Sequence, residues 1–362
     1  MTDPFHVPVE ELISRTSSIQ RRLQERGIDG LLIIQRVDLF YFSGTAQNGY
    51  LYIPSDGAPL LLVKKFLPRA QAESGLDHIV GIRSIKETPG QIAAFYGKRP
   101  RVIGLELDVL PAAYFFKLQA LFDGIQFVDG APLILETRMV KSTWEIEQME
   151  NTAALSSKTF AYVEETLRAG VSEIEYAGMI ETFSRRHGHG AMLRIRDFLT
   201  EGYPWHLLSG RSGGRLGLLD SPASGEGTSA AFPCGAGSKL LAPGEPVMLD
   251  FSSVMNGYHL DETRMFAIGS MPDRAMKASI AAIDIHDRVL DGVKPGVSVG
   301  ELFDISVQRA AELGFAAQYL GPEENKVSFI GHGVGLELVE PPFIAKGRGD
   351  RLAPGMTLAL EP

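Results

Sequence analysis

The length, composition and charge of the chain already exclude several classes of protein. Its 362 residues are enough for two globular domains, and a hydrophobic fraction of 44% is ordinary for such domains. A formal net charge of −9 argues against nucleic acid or an anionic membrane as a partner. Cys234 is the single cysteine, the start shows no basic-then-apolar signal pattern, and no apolar run has the length of a membrane span. We therefore expect a cytoplasmic protein without a membrane partner.

Residues 1–138 show the pattern of an α/β domain. A helical pattern from Val9 to Arg26 stops at Gly27. Strand-like runs alternate with helical stretches beyond it, at residues 30–34, 50–53, 60–63, 102–105 and 125–128. The segment has neither a glycine-rich phosphate loop nor a cluster of acids and histidines. We therefore expect a domain that shapes or caps a site, or mediates a dimer, rather than one that carries the chemistry.

The second domain, residues 139–362, begins with a capping box and a long helical pattern. Ser142 and Glu145 have the spacing of a box, and apolar residues keep helical spacing up to Leu167. Residues 209–228 are rich in glycine and serine. A long loop of this kind is either a lid or specificity element beside a cleft or simply solvated, and both readings stay open.

Two pairs of segments in the second domain echo each other in the same order. Residues 241–250 (LAPGEPVMLD) and 352–361 (LAPGMTLALE) each contain a Pro-Gly turn, an apolar run and a final carboxylate. Upstream, residues 170–188 and 296–314 each contain Gly-Val-Ser, a glutamate completing a capping box, and a glycine that ends a helical pattern. Chance recurrence is the alternative, but two echoes in one order favour duplication. We predict two similar α/β halves with a ligand-binding cleft between them.

A β-hairpin is predicted around the Asn-Gly pair at 256–257, which lies between two strand-like runs. A two-residue turn at this pair places Ser252 opposite Asp261. Asp250 is two residues from Ser252 and so shares its face, which makes the two aspartates diagonal neighbours within reach of one cation. A slip of one residue in the register would send one of them to the other face.

A histidine and a third carboxylate follow the hairpin. His332 lies in a Gly-His-Gly-Val-Gly segment at 331–335, and Glu361 ends the second echo. Together with Asp250 and Asp261 they form a hard, oxygen-rich donor set that suits one or two divalent ions such as Mn²⁺, Co²⁺, Fe²⁺ or Zn²⁺. Two ions held close together generate a nucleophile at neutral pH and clamp a carbonyl under attack.

These segments resemble the pita-bread metallopeptidases, namely prolidase, aminopeptidase P and methionine aminopeptidase, with creatinase as a related fold. The resemblance covers nearly the whole chain and is carried by four ordered motifs and a junction: residues 249–251, 256–264, 331–337 and 360–362, with the junction at 138–146. It implies an α/β protein with a creatinase-like capping domain at 1–138 and a pita-bread domain with internal pseudo-two-fold symmetry at 139–362.

The resemblance also implies residue roles and partners. Two divalent metal ions would be bound by four ligands: Asp250, Asp261, His332 and Glu361. Glu361 would also carry a proton, and Thr263 and Arg264 would support the ligands. The implied protein is a homodimeric Xaa-Pro dipeptidase or aminopeptidase that cleaves a short peptide, or a small amide, next to proline.

Three departures from the family pattern bear on activity. Cys234 stands where the peptidases usually carry a histidine, and Val339 stands where a second histidine holds the tetrahedral intermediate. A fifth metal ligand is expected beyond Pro362. Since a valine cannot donate to an oxyanion, we expect His206 to enter the substrate pocket, beside Val339 and Cys234, in compensation.

Two alternatives to the peptidase remain. One is a non-peptidase hydrolase or lyase acting on a small molecule, and the other is a non-catalytic binding protein that retains the fold. The four intact ligands argue against the second, because buried carboxylates without a metal are costly. Among the remaining histidines, the sequence predicts that His187 and His189 are solvated and that His259 is structural.

Overall fold

The computed structural model of the protein describes residues 5–197, 202 and 205–362. By its internal contacts the chain divides into two units. The first comprises Met1–Arg138 with Arg196–Thr200, and the second comprises Met139–Ile195 with Glu201–Pro362. Over the ranges that the structure describes, no helix combines the length and the apolar character that a membrane span requires.

The first unit is built around a six-stranded mixed sheet. Its strands are β1 Gly30–Ile33, β2 Gly49–Pro54, β3 Leu60–Val63, β4 Ile79–Gly81, β5 Val102–Leu105 and β6 Gln126–Asp129, in the order β4-β3-β2-β1-β5-β6. The helices are α1 Val9–Arg26, α2 Arg36–Ser43, α3 Leu67–Glu73, α4 Thr88–Tyr96, α5 Ala112–Leu121 and α6 Ala131–Arg138. The central strands β1, β2 and β3 are buried along their whole length, as expected for strands covered on both faces.

The predicted first helix is confirmed at both ends. It buries Leu12, Ile19 and Leu23 along one face, and Gly27 follows it in the left-handed conformation with φ 65°. A glycine adopts that conformation without the steric penalty of a Cβ, which explains why the helix stops there.

In the part of the second unit that the structure describes there are four α-helices and two three-stranded sheets. The helices are α7 Thr143–Thr166, α8 Glu173–Arg186, α9 Asp273–Gly292 and α10 Val299–Glu312. The strands are β7 Trp205–Ser209, β8 Pro246–Met255, β9 Tyr258–Ala267, β10 Phe329–Gly333, β11 Glu340–Ala345 and β12 Leu358–Leu360. One sheet has the order β7-β8-β9 and the other β11-β10-β12.

The two halves of this unit repeat a set of backbone hydrogen bonds. Each half ties the start of its second helix to the segment that precedes the Pro-Gly turn, by four bonds at matching positions of the two echoes. In the first half they run from Gly170 to Leu241, Leu241 to Val171, Glu173 to Lys239 and Ile174 to Gly237; in the second, from Gly296 to Leu352, Leu352 to Val297, Val299 to Asp350 and Gly300 to Arg348. This recurrence supports the predicted duplication.

The matching helices also begin and end alike. Ser298 and Glu301 form a complete capping box at α10, whereas at α8 the Ser172 hydroxyl accepts from the Glu175 N–H. Each helix ends two residues before a glycine with positive φ, Gly188 at 105° and Gly314 at 81°.

Candidate metal centre

The β8–β9 hairpin has the predicted register. Met255 pairs with Tyr258, and Ser252 pairs with Asp261. Both turn residues have positive φ, 54° at Asn256 and 89° at Gly257, which matches the twist of the flanking strands. The prediction that both aspartates lie on one face of the hairpin is therefore confirmed.

The two faces of this sheet have different environments. Leu249 and Phe251 point into an apolar core that α7 and α8 cover, so the alternating Asp250 points away from that core. On the same face, the Thr263 hydroxyl bonds to the Asp250 carboxylate. Ser252 Oγ donates to Asp261 Oδ1 at 3.1 Å. Each aspartate therefore has a hydroxyl on the neighbouring strand that orients it.

The second sheet brings His332 and Glu361 to these aspartates. His332 pairs with Ala359, and the Glu361 N–H donates to the Ile330 carbonyl at 2.8 Å. The His332 Nδ1–H donates to the Gly333 carbonyl at 2.9 Å, which leaves the Nε2 lone pair available to a cation. That Nε2 lies 3.8 Å from Asp261 Oδ2 and 3.4 Å from Glu361 Oε1.

The four predicted ligands thus form one cluster. One donor atom from each of Asp261, His332 and Glu361 lies within 4.8 Å of the others, and Asp250 shares a hydrogen bond with Asp261. Donors that surround one ion at about 2.0–2.3 Å have separations of this size. The donors are carboxylate oxygens and one imidazole nitrogen, so their chemistry and spacing fit a divalent ion.

The electrostatics of the cluster also favour a bound cation. Burial, and then the charges of Asp261 and Glu361, raise the pKa of Asp250 well above its usual value. Burial and Glu361 raise the pKa of Asp261 to about 6. At His332, burial acts to lower the pKa, but the bond to Glu361 and the charges of Glu361 and Asp261 outweigh it and raise the pKa to about 9. The cluster has an excess of negative charge that a cation would neutralise.

Comparison with known families assigns the fold. Residues 147–362, more than half of the chain, match metallopeptidase family M24, and residues 15–140 match the creatinase/prolidase N-terminal domain. The chain belongs to metallopeptidase family M24. The predicted family, the α/β fold with a creatinase-like domain before a pita-bread domain, and the assignment as a metallopeptidase are confirmed at this level. Divalent metal ions are a property of the family.

Relatives resemble this M24 chain over most of its length. An Xaa-Pro dipeptidase of Pyrococcus furiosus is 24% identical over 355 residues, which are 96% of this chain and 89% of that protein. An uncharacterized peptidase of Bacillus subtilis is 25% identical over 340 residues, 93% of this chain and 86% of that one. The solved Xaa-Pro dipeptidase of Bacillus anthracis has a TM-score of 0.79 at 23% identity, covering 96% of this chain and 88% of its own.

Among the expected pocket residues, His206 pairs directly with a member of the ligand cluster. It lies directly opposite Asp250 in the β7–β8 pairing and therefore shares its face. Its buried ring donates from Nε2 to the Ala223 carbonyl at 2.7 Å, and burial lowers its pKa. His206 thus fastens the Gly- and Ser-rich segment to β7, the strand next to the one that carries Asp250.

Val339 and Cys234 lie in different surroundings. Val339 is half-buried against an apolar cluster of Leu193, Val254, Leu338 and Ile195, so this position offers the pocket no proton donor. Cys234 is half-buried just after the Gly- and Ser-rich segment, and the neighbouring Gly235 N–H donates back to the Ser224 carbonyl of that segment at 2.7 Å.

Arg264 corrects one expectation of the resemblance. It pairs with Leu249, so it lies on the helix-covered face of β9, opposite to Asp261 and Thr263. Its exposed guanidinium lies 5.0 Å from the centre of the Phe160 ring and donates to the Thr263 carbonyl at 2.8 Å. Strand alternation therefore directs Arg264 away from the ligands that it was expected to support.

Two histidines near the cluster have larger roles than the sequence indicated. The prediction that His189 is solvated is wrong, because it is 6% exposed; it accepts from the Ala191 N–H at 2.7 Å and donates to the Ser252 carbonyl at 3.1 Å. His259 is fully buried, and burial lowers its pKa to about 4. Alternation from Asp261 could have placed His259 on the site face, but its partners are remote in sequence.

Proposed function

We propose that this M24 protein is a metal-dependent peptidase of the Xaa-Pro type, which cleaves short peptides next to proline. The observation that carries the proposal is the cluster of Asp250, Asp261, His332 and Glu361 on the facing sheets of the M24 unit. The Pyrococcus and Bacillus anthracis relatives named as Xaa-Pro dipeptidases support the substrate class.

We infer that the four clustered side chains bind two divalent ions, with Mn²⁺, Co²⁺, Fe²⁺ and Zn²⁺ as the candidates. Bound ions would polarise the scissile carbonyl and lower the pKa of a coordinated water. Asp250 and Asp261 present oxygens that Thr263 and Ser252 orient, and His332 presents Nε2. The hard donor set supports these metals rather than soft thiolate-preferring ones.

We assign proton transfer to Glu361. Its side chain is 40% exposed, whereas that of Asp261 is 10% exposed, so Glu361 contacts both the cluster and solvent. A carboxylate in that position can accept a proton from the attacking water and release it to the leaving amine.

We further propose a homodimer in a reducing compartment, the cytoplasm. Four large apolar side chains on α9 support self-association, because they are exposed and share one face of the helix: Met276, Ile280, Ile283 and Leu290. The single cysteine, Cys234, supports the compartment. Light scattering of the purified chain tests the dimer.

The direct test is a hydrolysis assay on chelator-treated protein reloaded with each candidate metal. We expect cleavage of Leu-Pro and Ala-Pro dipeptides and much weaker cleavage of Leu-Ala and Ala-Ala. The Asp261→Asn variant is the matched inactive control, so that a contaminating peptidase is recognised. Equal cleavage of both sets would contradict the preference for proline.

A second candidate is hydrolysis of a small non-peptide amide. The apolar surroundings of Val339 favour it, because this position provides no proton donor for a peptide-derived oxyanion. The same reloaded protein should then leave every dipeptide intact and cleave a simple amide in the presence of metal. A non-catalytic protein would bind metal and cleave neither.

A further inference from the structure

His259 connects three segments of the M24 unit through its two ring nitrogens. It lies on β9, two residues before Asp261 and on the same face. Nδ1 is 3.0 Å from the Gly335 carbonyl, and Nε2 is 3.1 Å from the Arg194 N–H. A carbonyl only accepts and an amide N–H only donates, so these partners select the neutral ring with its proton on Nδ1.

The Nδ1 partner belongs to the segment that carries His332. Gly335 follows that ligand by three residues, and its carbonyl also accepts the His259 backbone N–H at 2.7 Å. A Cβ at Gly335 would meet Lys141 Cε at 2.9 Å and the Glu340 carboxylate at 3.0 Å, so the backbone is closely surrounded there. The His259 ring therefore fixes this segment to the strand that carries Asp261.

The Nε2 partner belongs to a strap, residues 189–195, that lies beside the hairpin. The strap's Gly190 N–H donates to the Val254 carbonyl at 2.8 Å, and its Arg194 carbonyl accepts from Leu338 N–H at 2.8 Å. Leu193 of the strap packs in the apolar cluster that includes Val339. Through the strap, the bond to Nε2 thus keeps Leu193 packed against Val339. In the proposed peptidase this apolar cluster faces the substrate.

We propose that His259 is a positioning residue with two separable effects. Its Nδ1–H fixes His332 relative to Asp261 and so sets metal affinity, and its Nε2 fixes the strap and so sets substrate affinity. The second effect rests on the proposed function, whereas the first depends only on the metal cluster. The variants His259→Asn and His259→Gln separate the two effects. The Asn amide takes the position of Nδ1 and keeps only the first effect, whereas the Gln amide takes the position of Nε2 and keeps only the second.

The test compares His259→Asn and His259→Gln with the same changes at His286, a 41% exposed residue on α9. In His259→Gln, which loses the side-chain bond to Gly335 but keeps the backbone bond, we expect Mn²⁺ affinity by calorimetry to fall about tenfold, with KM for Leu-Pro at saturating metal unchanged. In His259→Asn, which loses the Arg194 bond, we expect unchanged Mn²⁺ affinity, an increase of KM without loss of kcat, and faster trypsin cleavage after Arg194. Neither His286 variant should change any of these.

Equal losses in both His259 variants would overturn the proposal and leave His259 a general packing residue. If the wild-type protein cleaves no Xaa-Pro peptide, the proposed function fails, while calorimetry and trypsin cleavage still decide the roles of the two nitrogens. If neither His259 variant folds, Leu338→Ala loosens the strap without changing the His259 ring. It must then speed trypsin cleavage after Arg194 and leave Mn²⁺ affinity unchanged, and the opposite result would contradict the account.

Discussion

The two halves of the M24 unit share a backbone frame but contribute different residues to the proposed metal centre. The first half supplies both Asp250 and Asp261 from one hairpin, whereas the second supplies His332 from β10 and Glu361 from the end of the antiparallel partner strand. Asp250 and Glu361 occupy matching positions in the two echoes, whereas Asp261 and His332 lie outside them. Duplication thus accounts for the frame and for the matching places of Asp250 and Glu361.

A second difference concerns one pair of matching positions, Glu173 and Val299. The backbone N–H of each donates to a matching carbonyl, yet Val299 packs in an apolar core while the buried Glu173 carboxylate accepts from Ser209, Ser212 and Gly237. The first half contains the Gly- and Ser-rich segment, which has few apolar side chains for packing. Glu173 therefore holds this segment by hydrogen bonds, whereas the matching Val299 of the second half is held by apolar packing.

The largest expected effect comes from removing a ligand of the first half. Asp261→Asn keeps the shape of the side chain but loses the charge, and it should reduce metal affinity and hydrolysis by more than about 100-fold, because even residues that only orient ligands contribute 10–100-fold. Calorimetry with Mn²⁺ and the dipeptide assay measure both. The neighbouring Glu262→Gln, whose side chain is on the other face, is the control, and equal losses in both variants would argue against the cluster.

Glu173→Val makes the first half resemble the second at this position. It leaves the Ser209 and Ser212 hydroxyls and the Gly237 N–H without their acceptor, so we expect the free energy of unfolding to fall by about 3 kcal/mol. Urea denaturation measures the loss, and Glu175→Gln on the same helix is an exposed control. A stability equal to that of the wild type would mean that the segment does not depend on this anchor.

The stability of the metal-free protein should depend on pH, because carboxylates from both halves lie close together in the cluster. Asp261 has a pKa of about 6, raised from 3.8 by burial and Glu361, so the folded state binds this proton more tightly and loses stability as pH rises from about 4 to about 6. Above that range, metal-free Asp261→Asn should be more stable than metal-free wild type by about 3 kcal/mol. Urea denaturation at pH 7 with a chelator measures the difference, and a less stable variant would contradict the repulsion inferred for the cluster.

The smallest expected effect is an increase in dipeptide turnover when Val339, in the apolar cluster, is replaced. If Val339 faces the substrate, as the proposed function requires, Val339→His adds a donor near the reacting carbonyl and should raise the dipeptide turnover about tenfold, part of the 10²–10³ that one oxyanion donor contributes elsewhere. Bound metal should not change, because Val339 is not a ligand. Val339→Leu is the matched apolar control. An unchanged turnover in a working peptidase would refute the oxyanion argument.

The sequence predicted those features of the site that depend on local pattern. The Asn256-Gly257 turn fixed the hairpin register because a two-residue turn leaves one pairing, and the register placed Asp250 and Asp261 on one face. The echo placed Glu361 by analogy with Asp250. These inferences needed only the period of a strand and the length of a turn.

Other features depend on partners that are distant in the chain, and local pattern does not reveal them. His259 gains its role from Gly335 and Arg194, and His189 is buried because it bonds to Ser252. The misplacement of Arg264 has a different origin. Strand alternation from Asp261 directs this side chain to the helix-covered face, whereas the family resemblance implies that it supports the ligands.

The most direct test of the metal centre is anomalous diffraction from crystals of the protein grown with Mn²⁺. The account predicts anomalous peaks about 2.0–2.3 Å from His332 Nε2 and from the carboxylate oxygens of Asp261 and Glu361. An ordered Mn²⁺ that is bound elsewhere, with these three side chains free of metal at saturating concentration, would contradict it.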